Sequence, residues 1–308
     1  MQYFFPSYYK DFKCIAGECR HNCCIGWEID IDLDAMSRYF SVGGKFGARL
    51  KANISSGDEP HFILGKGDRC PFLNDKNLCD IIITLGEESL CSICADHPRF
   101  RNELPGRIET GLGLCCEAAA RLILGKKDKF TLVSTGEWEC DDEIISLRDK
   151  ALELISRRFK PFFERVNDIA FTFGLGDSEV DFLKWTDVFL SLERLDKSWT
   201  DILLQLKDNI CDFDIGGFDA YMIDRQTEFE QLISYFIYRH LANAFDDESF
   251  KKRVAFCILS YEMIRAIGAV KWYLTGSFSF EDLVETARAY SSEIEYSDEN
   301  IYVLLDEL

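Results

Sequence analysis

The sequence predicts a mainly α protein in two parts, a cysteine-rich α+β metal-binding domain at residues 1–138 and an α-helical domain at residues 139–308. Ten of the 13 cysteines lie between Cys14 and Cys116, among short irregular elements. After residue 141 the apolar residues instead recur at helical spacing. With 308 residues and 47% hydrophobic composition, the chain has enough apolar material for two packed domains.

The charge distribution excludes one class of partner and favours another. The net charge is −19: residues 1–140 hold 17 Lys and Arg against 20 Asp and Glu, and the remainder holds 18 against 34. A protein that binds nucleic acid through the phosphates needs a basic surface, so we expect no nucleic-acid partner. The acidic second part favours a basic or lysine-bearing partner, or else it is a solvated surface that maintains solubility.

The apolar runs and the first residues predict where the protein resides. Runs such as residues 254–259 are much shorter than the ~20 residues of a membrane helix. The first ten residues have neither the basic region nor the sustained apolar region of a secretory signal. We therefore predict a cytoplasmic protein that does not enter a membrane. In a reducing compartment, clustered cysteines indicate metal binding, with disulfide bonds and inert buried thiols as the alternatives.

Short elements are predicted around the cysteines. Residues 25–33 alternate apolar and polar side chains, which predicts a strand, and Asp34 stands at the N-cap position of the following helix. The remaining predictions are a Cys70–Cys79 hairpin, helices at 80–85, 91–97 and 115–125, strands at 107–114 and 130–133, and long helices over 229–241 and 253–270. The chain has no Walker motif, no nucleophile elbow and no G-x-G-x-x-G after a strand, so a doubly wound nucleotide-binding fold is not expected.

The cysteine spacing predicts a metal centre. The clusters are Cys14-x4-Cys19-x3-Cys23-Cys24, then Cys70-x8-Cys79-x11-Cys91-x2-Cys94, then Cys115-Cys116. Structural zinc sites usually take two C-x2–4-C pairs, and only Cys91 and Cys94 have that form. Irregular gaps favour an iron–sulfur cluster wrapped by several loops, with zinc as the alternative. His21 and His97 lie beside cysteines, either as ligands or as residues that support the ligands.

Several segments together resemble the flagellin lysine-N-methylase (FliB) family. The longest is the run from Phe12 to Asp32, which contains four cysteines and the sequence Cys23-Cys24-Ile25-Gly26-Trp27. The other matching segments are residues 70–73, 78–79, 85–88, 94–99, 116–122 and 235–241. The cysteine-rich half is also similar to the wider group of proteins described as zinc- or iron-chelating.

The resemblance implies an S-adenosylmethionine-dependent methyltransferase that acts on lysine side chains of flagellin. It also implies a [4Fe-4S] cluster in the cysteine-rich half. The metal ligands that the resemblance implies are Cys14, Cys19, Cys23, Cys24, Cys70, Cys79, Cys91, Cys94 and Cys116. Cys115 is particular to this chain. The rival hypothesis is a non-catalytic module that binds or senses zinc or iron.

A lysine methyltransferase must bind its substrate amine in the neutral form. With a pKa of ~10.4, a lysine is neutral about one time in 2500 at pH 7, a deficit of ~4.6 kcal/mol. Asp32, Glu117 and Tyr8 or Tyr9 are candidates for the base, with capping or surface roles as the alternative; the catalytic residues are otherwise unknown. For the carboxylate of S-adenosylmethionine the candidates are Arg99 and Arg121, and structural ion pairs are the alternative for both.

Overall fold

The computed structural model of the protein describes residues 1–308 except residues 56, 58, 137–141 and 177–179. The chain forms two compact units, one of residues 13–100 and one of residues 1–12 together with 101–308. This division differs from the sequence-based boundary at 138/139, which lies outside the described residues. The reason is that the first strand pairs with strands near residues 107 and 133, which places residues 101–134 in the larger unit.

The unit of residues 13–100 is built from short helices and turns around a small apolar core. Its helices are α1 (Leu33–Ser41), α2 (Gly44–Ala52), α3 (Asp80–Leu85) and α4 (Ser92–Asp96). The predicted helices at 80–85 and 91–97 are therefore confirmed. The core consists of Ile29, Ile31, Ala35, Tyr39, Leu50, Ile54, Phe62, Cys70, Phe72, Leu73, Ile81 and Cys91.

Two predictions for this unit are wrong. Residues 25–33 form no strand, and within them only Ile25 and Asp30 make isolated bridges, to segments about 30 to 45 residues further along the chain. The alternation instead buries Ile29 and Ile31 against the core without a continuous partner strand. The N-cap of α1 is Asp32 and not Asp34, because the Asp32 carboxylate accepts the backbone N–H of Ala35 at 2.8 Å.

The larger unit contains a four-stranded sheet of β1 (Gln2–Pro6), β2 (Arg99–Leu104), β3 (Arg107–Leu112) and β4 (Leu132–Ser134) in the order β2-β3-β1-β4. β1 is parallel to β3 and antiparallel to β4. β3 confirms the strand predicted at 107–114, and β4 lies close to the one predicted at 130–133. Within the described residues, no doubly wound parallel sheet is present, as the sequence predicted.

Ten further helices of the described residues make up most of the larger unit, which confirms a mainly α fold. They are α5 (Glu117–Leu124), α6 (Glu143–Ile155), α7 (Phe162–Thr172), α8 (Phe182–Ser191), α9 (Lys197–Asn209), α10 (Ile215–Tyr221), α11 (Gln226–His240), α12 (Asp247–Thr275), α13 (Phe280–Tyr290) and α14 (Asp298–Glu307). Most begin at an Asp or Ser whose side chain accepts a backbone N–H of the first turn, which satisfies one of the donors that a helix start leaves open.

The core of this unit lies around α11 and α12, which pack against each other. Every residue from Glu228 to His240 is buried, so α11 has no solvent face, although the sequence predicted one apolar stripe. The buried carboxylate of Glu230 in α11 is neutralised, because it bonds Arg158 at 2.8 Å and Arg165 at 2.6 Å. Among the described residues, no helix has the length and apolar character that crossing a membrane requires.

Candidate metal centre

Six cysteines of the unit 13–100 interact with one another through their sulfur atoms. They come from three segments of chain, and they are Cys23, Cys24, Cys70, Cys79, Cys91 and Cys94. We call this set the six-thiol cluster. Cys23 is exposed, three members are intermediate in exposure, and Cys70 and Cys91 belong to the apolar core.

Two pairs within the cluster are hydrogen-bonded. The Cys94 thiol donates to the Cys91 sulfur, which lowers the pKa of Cys91 against the opposing effect of burial. The same bond, followed by burial, raises the pKa of Cys94. Cys24 donates in the same way to Cys23, so the pKa of Cys23 is lowered and that of Cys24 is raised. Each pair therefore holds one sulfur that ionises more readily than its partner.

Cys70 and Cys79 connect the two pairs. Burial first, and then the charges of Cys79 and Cys91, raise the pKa of Cys70 to about 11. Burial also raises the pKa of Cys79, with a further contribution from Cys23. Since like charges raise the pKa of a thiol only at short range, these effects show that the three segments bring their sulfurs into one electrostatic environment.

Local hydrogen bonds hold the 70–79 segment in place. The backbone N–H of Cys70 donates to the carbonyl of Cys24 at 2.8 Å, which ties two cysteine segments together directly. The turn of the predicted hairpin is made by Asn74, whose side-chain oxygen accepts the N–H of Leu78 at 3.1 Å. Arg49 then joins α2 to the start of α3 by donating to Asp80 at 2.7 Å. The predicted hairpin is thus present as a short turn with one bridge.

Gly17 allows the first cysteine segment to approach this turn. A Cβ atom at residue 17 would lie 2.9 Å from the carbonyl oxygen of Lys76, closer than real Cβ contacts allow. The segment that carries Cys14 and Cys19 therefore lies against residues 76–78 at backbone distance. A residue with a side chain could not take this position without moving the chain.

The donor set of the six-thiol cluster fits a soft metal or an iron–sulfur cluster, because both prefer thiolate ligands. The sulfurs are nevertheless arranged as hydrogen-bonded thiol pairs: in the described part of the chain, no group of three or more His, Cys, Asp or Glu side chains has the arrangement that one metal ion needs. The thiol side chains therefore fit a soft metal or an iron–sulfur cluster by their chemistry. Binding of either one would require the thiols to lose protons and reorient.

The other predicted ligands, Cys14, Cys19 and Cys116, are not members of the six-thiol cluster. The exposed Cys14 sulfur accepts the N–H of Ala16 at 3.3 Å, and the Cys19 thiol donates to the carbonyl of His21 at 3.2 Å. Cys116 belongs to the larger unit, where it precedes α5 beside the buried Cys115. Ligation by these three cysteines stays a prediction.

The arginines predicted for the methyl donor make contacts within their own units. Arg121 bonds Glu117 at 2.8 Å and Glu281 at 2.5 Å, so it joins α5 to α13 as an ion pair. Arg99 donates to the carbonyl of Ala95 at 3.3 Å. Arg99 also contributes, after burial, to lowering the pKa of His97 to about 4, which keeps that imidazole neutral at pH 7.

The residues predicted as bases have structural partners. Burial raises the pKa of Asp32, but hydrogen bonds from the backbone N–H groups of Ser92 and Ala35 outweigh it and lower the pKa to about 2. Glu117 is buried beside Arg121. Burial raises the pKa of Tyr8 above its usual value, so its phenol is harder to ionise. A weak carboxylate base and a less acidic phenol are poorly matched to accepting a lysine proton near pH 7.

Two features were not foreseen from the sequence. One is a buried polar network around Glu295, whose carboxylate accepts from Tyr235 at 2.9 Å and contacts the ring of His240 at 2.7 Å. Glu295 ends a π-helical turn, Ser291–Glu295, a local irregularity that no side-chain periodicity signals. The other is Tyr39, a fully buried residue of α1 whose ring stacks on Phe62 with the centroids 5.8 Å apart.

The helical part also contains a cavity of about 400 Å³ between α9, α12 and α13. Aliphatic side chains such as Ile202, Leu206 and Ile267 form much of its wall, and the charged side chains of Lys271 and Glu285 also line it. This volume is within the range of small-molecule sites in proteins. The two charged groups already have partners, since Lys271 pairs with Asp282 and Glu285 with Arg288.

The fold and the site define a mainly α protein with a thiol cluster in one compact unit, and comparison with known proteins identifies its family. A sequence profile of the FliB lysine N-methylase C-terminal domain matches residues 142–308, more than half of the chain. The protein therefore belongs to the FliB lysine N-methylase family.

The individual relatives share limited sequence identity with this chain, over less than half of its length. The chain is 27% identical over 135 residues to a protein named Lysine-N-methylase from Salmonella typhimurium (strain LT2), over 41% of this chain and 33% of the relative. The same identity and coverage hold for the Lysine-N-methylase of Salmonella choleraesuis (strain SC-B67). The match to Flagellar biosynthetic protein FliU of Salmonella muenchen covers 79% of that relative. The chain thus spans about a third of the length of the two lysine methylases, and no solved structure matches it.

Proposed function

We propose that this protein is an S-adenosylmethionine-dependent N-methyltransferase for lysine side chains of flagellin, with a metal centre held by the six-thiol cluster. Membership of the FliB lysine N-methylase family is the observation that carries the activity. The names of its relatives, Lysine-N-methylase and Flagellar biosynthetic protein, support a flagellar protein as substrate. The strongly acidic residues 141–308 are compatible with a lysine-bearing partner.

For the metal centre we propose an iron–sulfur cluster, with zinc as the alternative. Six thiols from three segments exceed the four that either one tetrahedral zinc ion or one [4Fe-4S] cluster takes, so their number does not separate the two. Ligands on several separate loops are typical of iron–sulfur ligation. When bound, such a group would cross-link the segments of residues 23–24, 70–79 and 91–94. The hydrogen-bonded pairs already keep Cys23 and Cys91 as the sulfurs that ionise most readily.

The methyl transfer forms a bond between the donor's methyl carbon and the neutral lysine Nζ, breaks the carbon–sulfur bond of the sulfonium, and releases one proton from nitrogen. We assign the base to none of Asp32, Glu117 and Tyr8, because each has a structural partner or an unsuitable pKa. The cavity between α9, α12 and α13 supports binding of a small molecule such as the methyl donor.

A second function is favoured by one observation. The six-thiol cluster lies wholly within residues 13–100, whereas the family profile covers residues 142–308. A unit that binds or senses zinc or iron without catalysis would have the same cluster. It would need no cavity for a methyl donor, so the two functions differ in whether S-adenosylmethionine binds.

The test is anaerobic purification followed by analysis of iron, sulfide and zinc, and by transfer of labelled methyl groups from S-adenosylmethionine to flagellin. A double variant, Cys23→Ser with Cys94→Ser, should lose the metal and the transfer. The matched control is Cys211→Ser, an exposed cysteine outside the six-thiol cluster, which should retain both.

Limited proteolysis with mass-spectrometric readout adds a folding measurement. Because thiolate ligation contributes folding free energy to small metal-binding units, the double variant should be cleaved first within residues 13–100. Preferential cleavage beyond residue 142 would contradict this. Full methyl transfer by a metal-free double variant would remove the metal from the mechanism. A metal-loaded protein that neither binds S-adenosylmethionine nor transfers methyl groups would establish the second function instead.

A further inference from the structure

The cavity between α9, α12 and α13 is larger than imperfect packing of helices explains. Its volume is about 400 Å³, whereas voids in protein interiors seldom exceed the size of a water molecule. The lining residues of two helices recur at intervals of three and four: Ile202 and Leu206 in α9, and Ile267, Val270 and Lys271 in α12. Each of these helices therefore presents one continuous face to the cavity.

The lining residues differ in burial according to their polarity. Leu206, Ile267 and Val270 are almost fully buried. Their neighbours in sequence, Gln205 and Lys271, also line the cavity and are exposed to solvent. A ligand that has an apolar body and polar ends matches this arrangement, because the buried residues contact the body and the exposed residues contact the ends.

The side-chain amide of Gln205 is suited to one kind of ligand edge. Among the described residues, this amide has no hydrogen-bond partner. An amide carries a donor and an acceptor side by side, and this pair binds the N6 and N7 edge of an adenine ring. The aliphatic side chains of the same cavity match the two apolar faces of such a ring.

The cavity also has one charged side chain of each sign. Lys271 pairs with Asp282, which occupies one of the three donors of its ammonium group, and Glu285 pairs with Arg288. These partners hold the two charged groups in position. An amino acid group carries one carboxylate and one ammonium, so it matches the charges of Lys271 and Glu285.

We propose that this cavity binds S-adenosylmethionine, with the Gln205 amide on the edge of the adenine ring and the Lys271 ammonium on the carboxylate. The aliphatic residues of α9 and α12 enclose the adenine ring, and Glu285 accepts hydrogen bonds from the ammonium group of the ligand. The inference rests on the proposed methyl transfer, and it adds the residues that recognise the methyl donor.

The test measures binding of two ligands to the anaerobically purified full chain by isothermal titration calorimetry. S-adenosylhomocysteine carries the adenosyl and the amino acid groups, whereas methylthioadenosine carries only the adenosyl group. Gln205→Leu should weaken the binding of both ligands about tenfold, because the contact with adenine is lost. Lys271→Met should weaken the binding of S-adenosylhomocysteine about tenfold and leave that of methylthioadenosine unchanged.

Gln226→Leu and Lys207→Met are the matched controls. Gln226 begins α11, Lys207 lies in α9 and pairs with Asp187, and neither belongs to the described lining of the cavity. Both controls should bind the two ligands as wild type does. All four substituted positions are at least partly exposed, so each variant should keep a thermal midpoint near that of wild type.

Wild-type affinity for both ligands in Gln205→Leu and Lys271→Met would overturn the inference and leave the methyl transfer in place, because the donor would then bind elsewhere. Weaker binding of methylthioadenosine by Lys271→Met would also overturn it, since the lysine would then not act on the amino acid group. Absence of S-adenosylhomocysteine binding by the wild-type protein would overturn this inference together with the proposed use of S-adenosylmethionine.

Discussion

The double hydrogen bond of Asp32 can be tested by removing its carboxylate. Its two oxygens accept the N–H groups of Ala35 at 2.8 Å and Ser92 at 2.7 Å. Loss of an N-cap costs about 1 kcal/mol, and loss of a second bond to a charged acceptor costs about 1.5 kcal/mol. Asp32→Ala should therefore lower the free energy of unfolding of the unit 13–100 by about 2–3 kcal/mol at pH 7, measured by urea denaturation.

The pH dependence provides an independent measure of the same interaction. The pKa of Asp32 falls from its ordinary 3.8 to about 2 in the folded protein, against the opposing effect of burial. A depressed carboxyl pKa contributes stability that is fully present above the unfolded pKa and is lost as the pH falls through the folded one. This contribution is about 1–2 kcal/mol after solvent screening is allowed for. The difference between wild type and Asp32→Ala should therefore be constant from pH 7 to about pH 5 and be smaller by about 0.5–1 kcal/mol near pH 3, where roughly half of the pH-dependent part is lost.

The neighbouring Asp34 is the matched control, because it is an exposed acidic residue in the first turn of the same helix. Asp34→Ala should change the free energy of unfolding by about 0.5 kcal/mol or less. Equal destabilisation by the two substitutions, or a larger effect of Asp34→Ala, would refute the assignment of the cap to Asp32. A difference between wild type and Asp32→Ala that grows toward acid pH would refute the electrostatic explanation.

Two further substitutions test packing within the two units. Glu230→Gln should destabilise the helical unit by about 3 kcal/mol in urea denaturation, because it leaves two buried or half-buried arginines without their shared carboxylate. Glu153→Gln, at an exposed ion pair screened by solvent, should cost much less than Glu230→Gln, and equal costs would contradict the reasoning. Gly17→Ala should loosen residues 13–100, because its Cβ would meet a backbone carbonyl at 2.9 Å, whereas Gly57→Ala has open space. Unchanged hydrogen exchange in Gly17→Ala would show that the first cysteine segment does not need this close approach.

Elements specified by local sequence were predicted correctly. The α3 helix ends where Gly86 adopts a left-handed conformation, and α4 ends before His97-Pro98. The helical conformation of α11 follows from apolar residues that recur at helical spacing, although that spacing predicts one buried face and the structure buries the helix on all sides. These signals are strong because each depends on residues within a few positions of one another.

Elements that depend on distant partners were predicted less well. The strand β1 was not recognised, because its partners are residues 107–109 and 132–134. Residues 25–33 have strand periodicity, yet they meet only isolated bridges and stay outside any strand. Alternating side chains show which residues become buried, but a strand also needs a neighbour with free backbone donors and acceptors. That neighbour is a property of the tertiary structure.

For the candidate site, the sequence alone determined the ligand chemistry: thiols concentrated in the first 116 residues, of which only Cys91 and Cys94 have zinc-type spacing. The tertiary structure decided which thiols interact, and it selected six of them while leaving Cys116 in the other unit. It also decided that Asp32 is the cap whose carboxylate reaches the backbone N–H of Ser92. The physical reason is the sequence distance over which each property is set. The ligand type is a property of each cysteine side chain by itself. The approach of the thiols to one another, and their burial, arise only when segments up to 70 residues apart pack together.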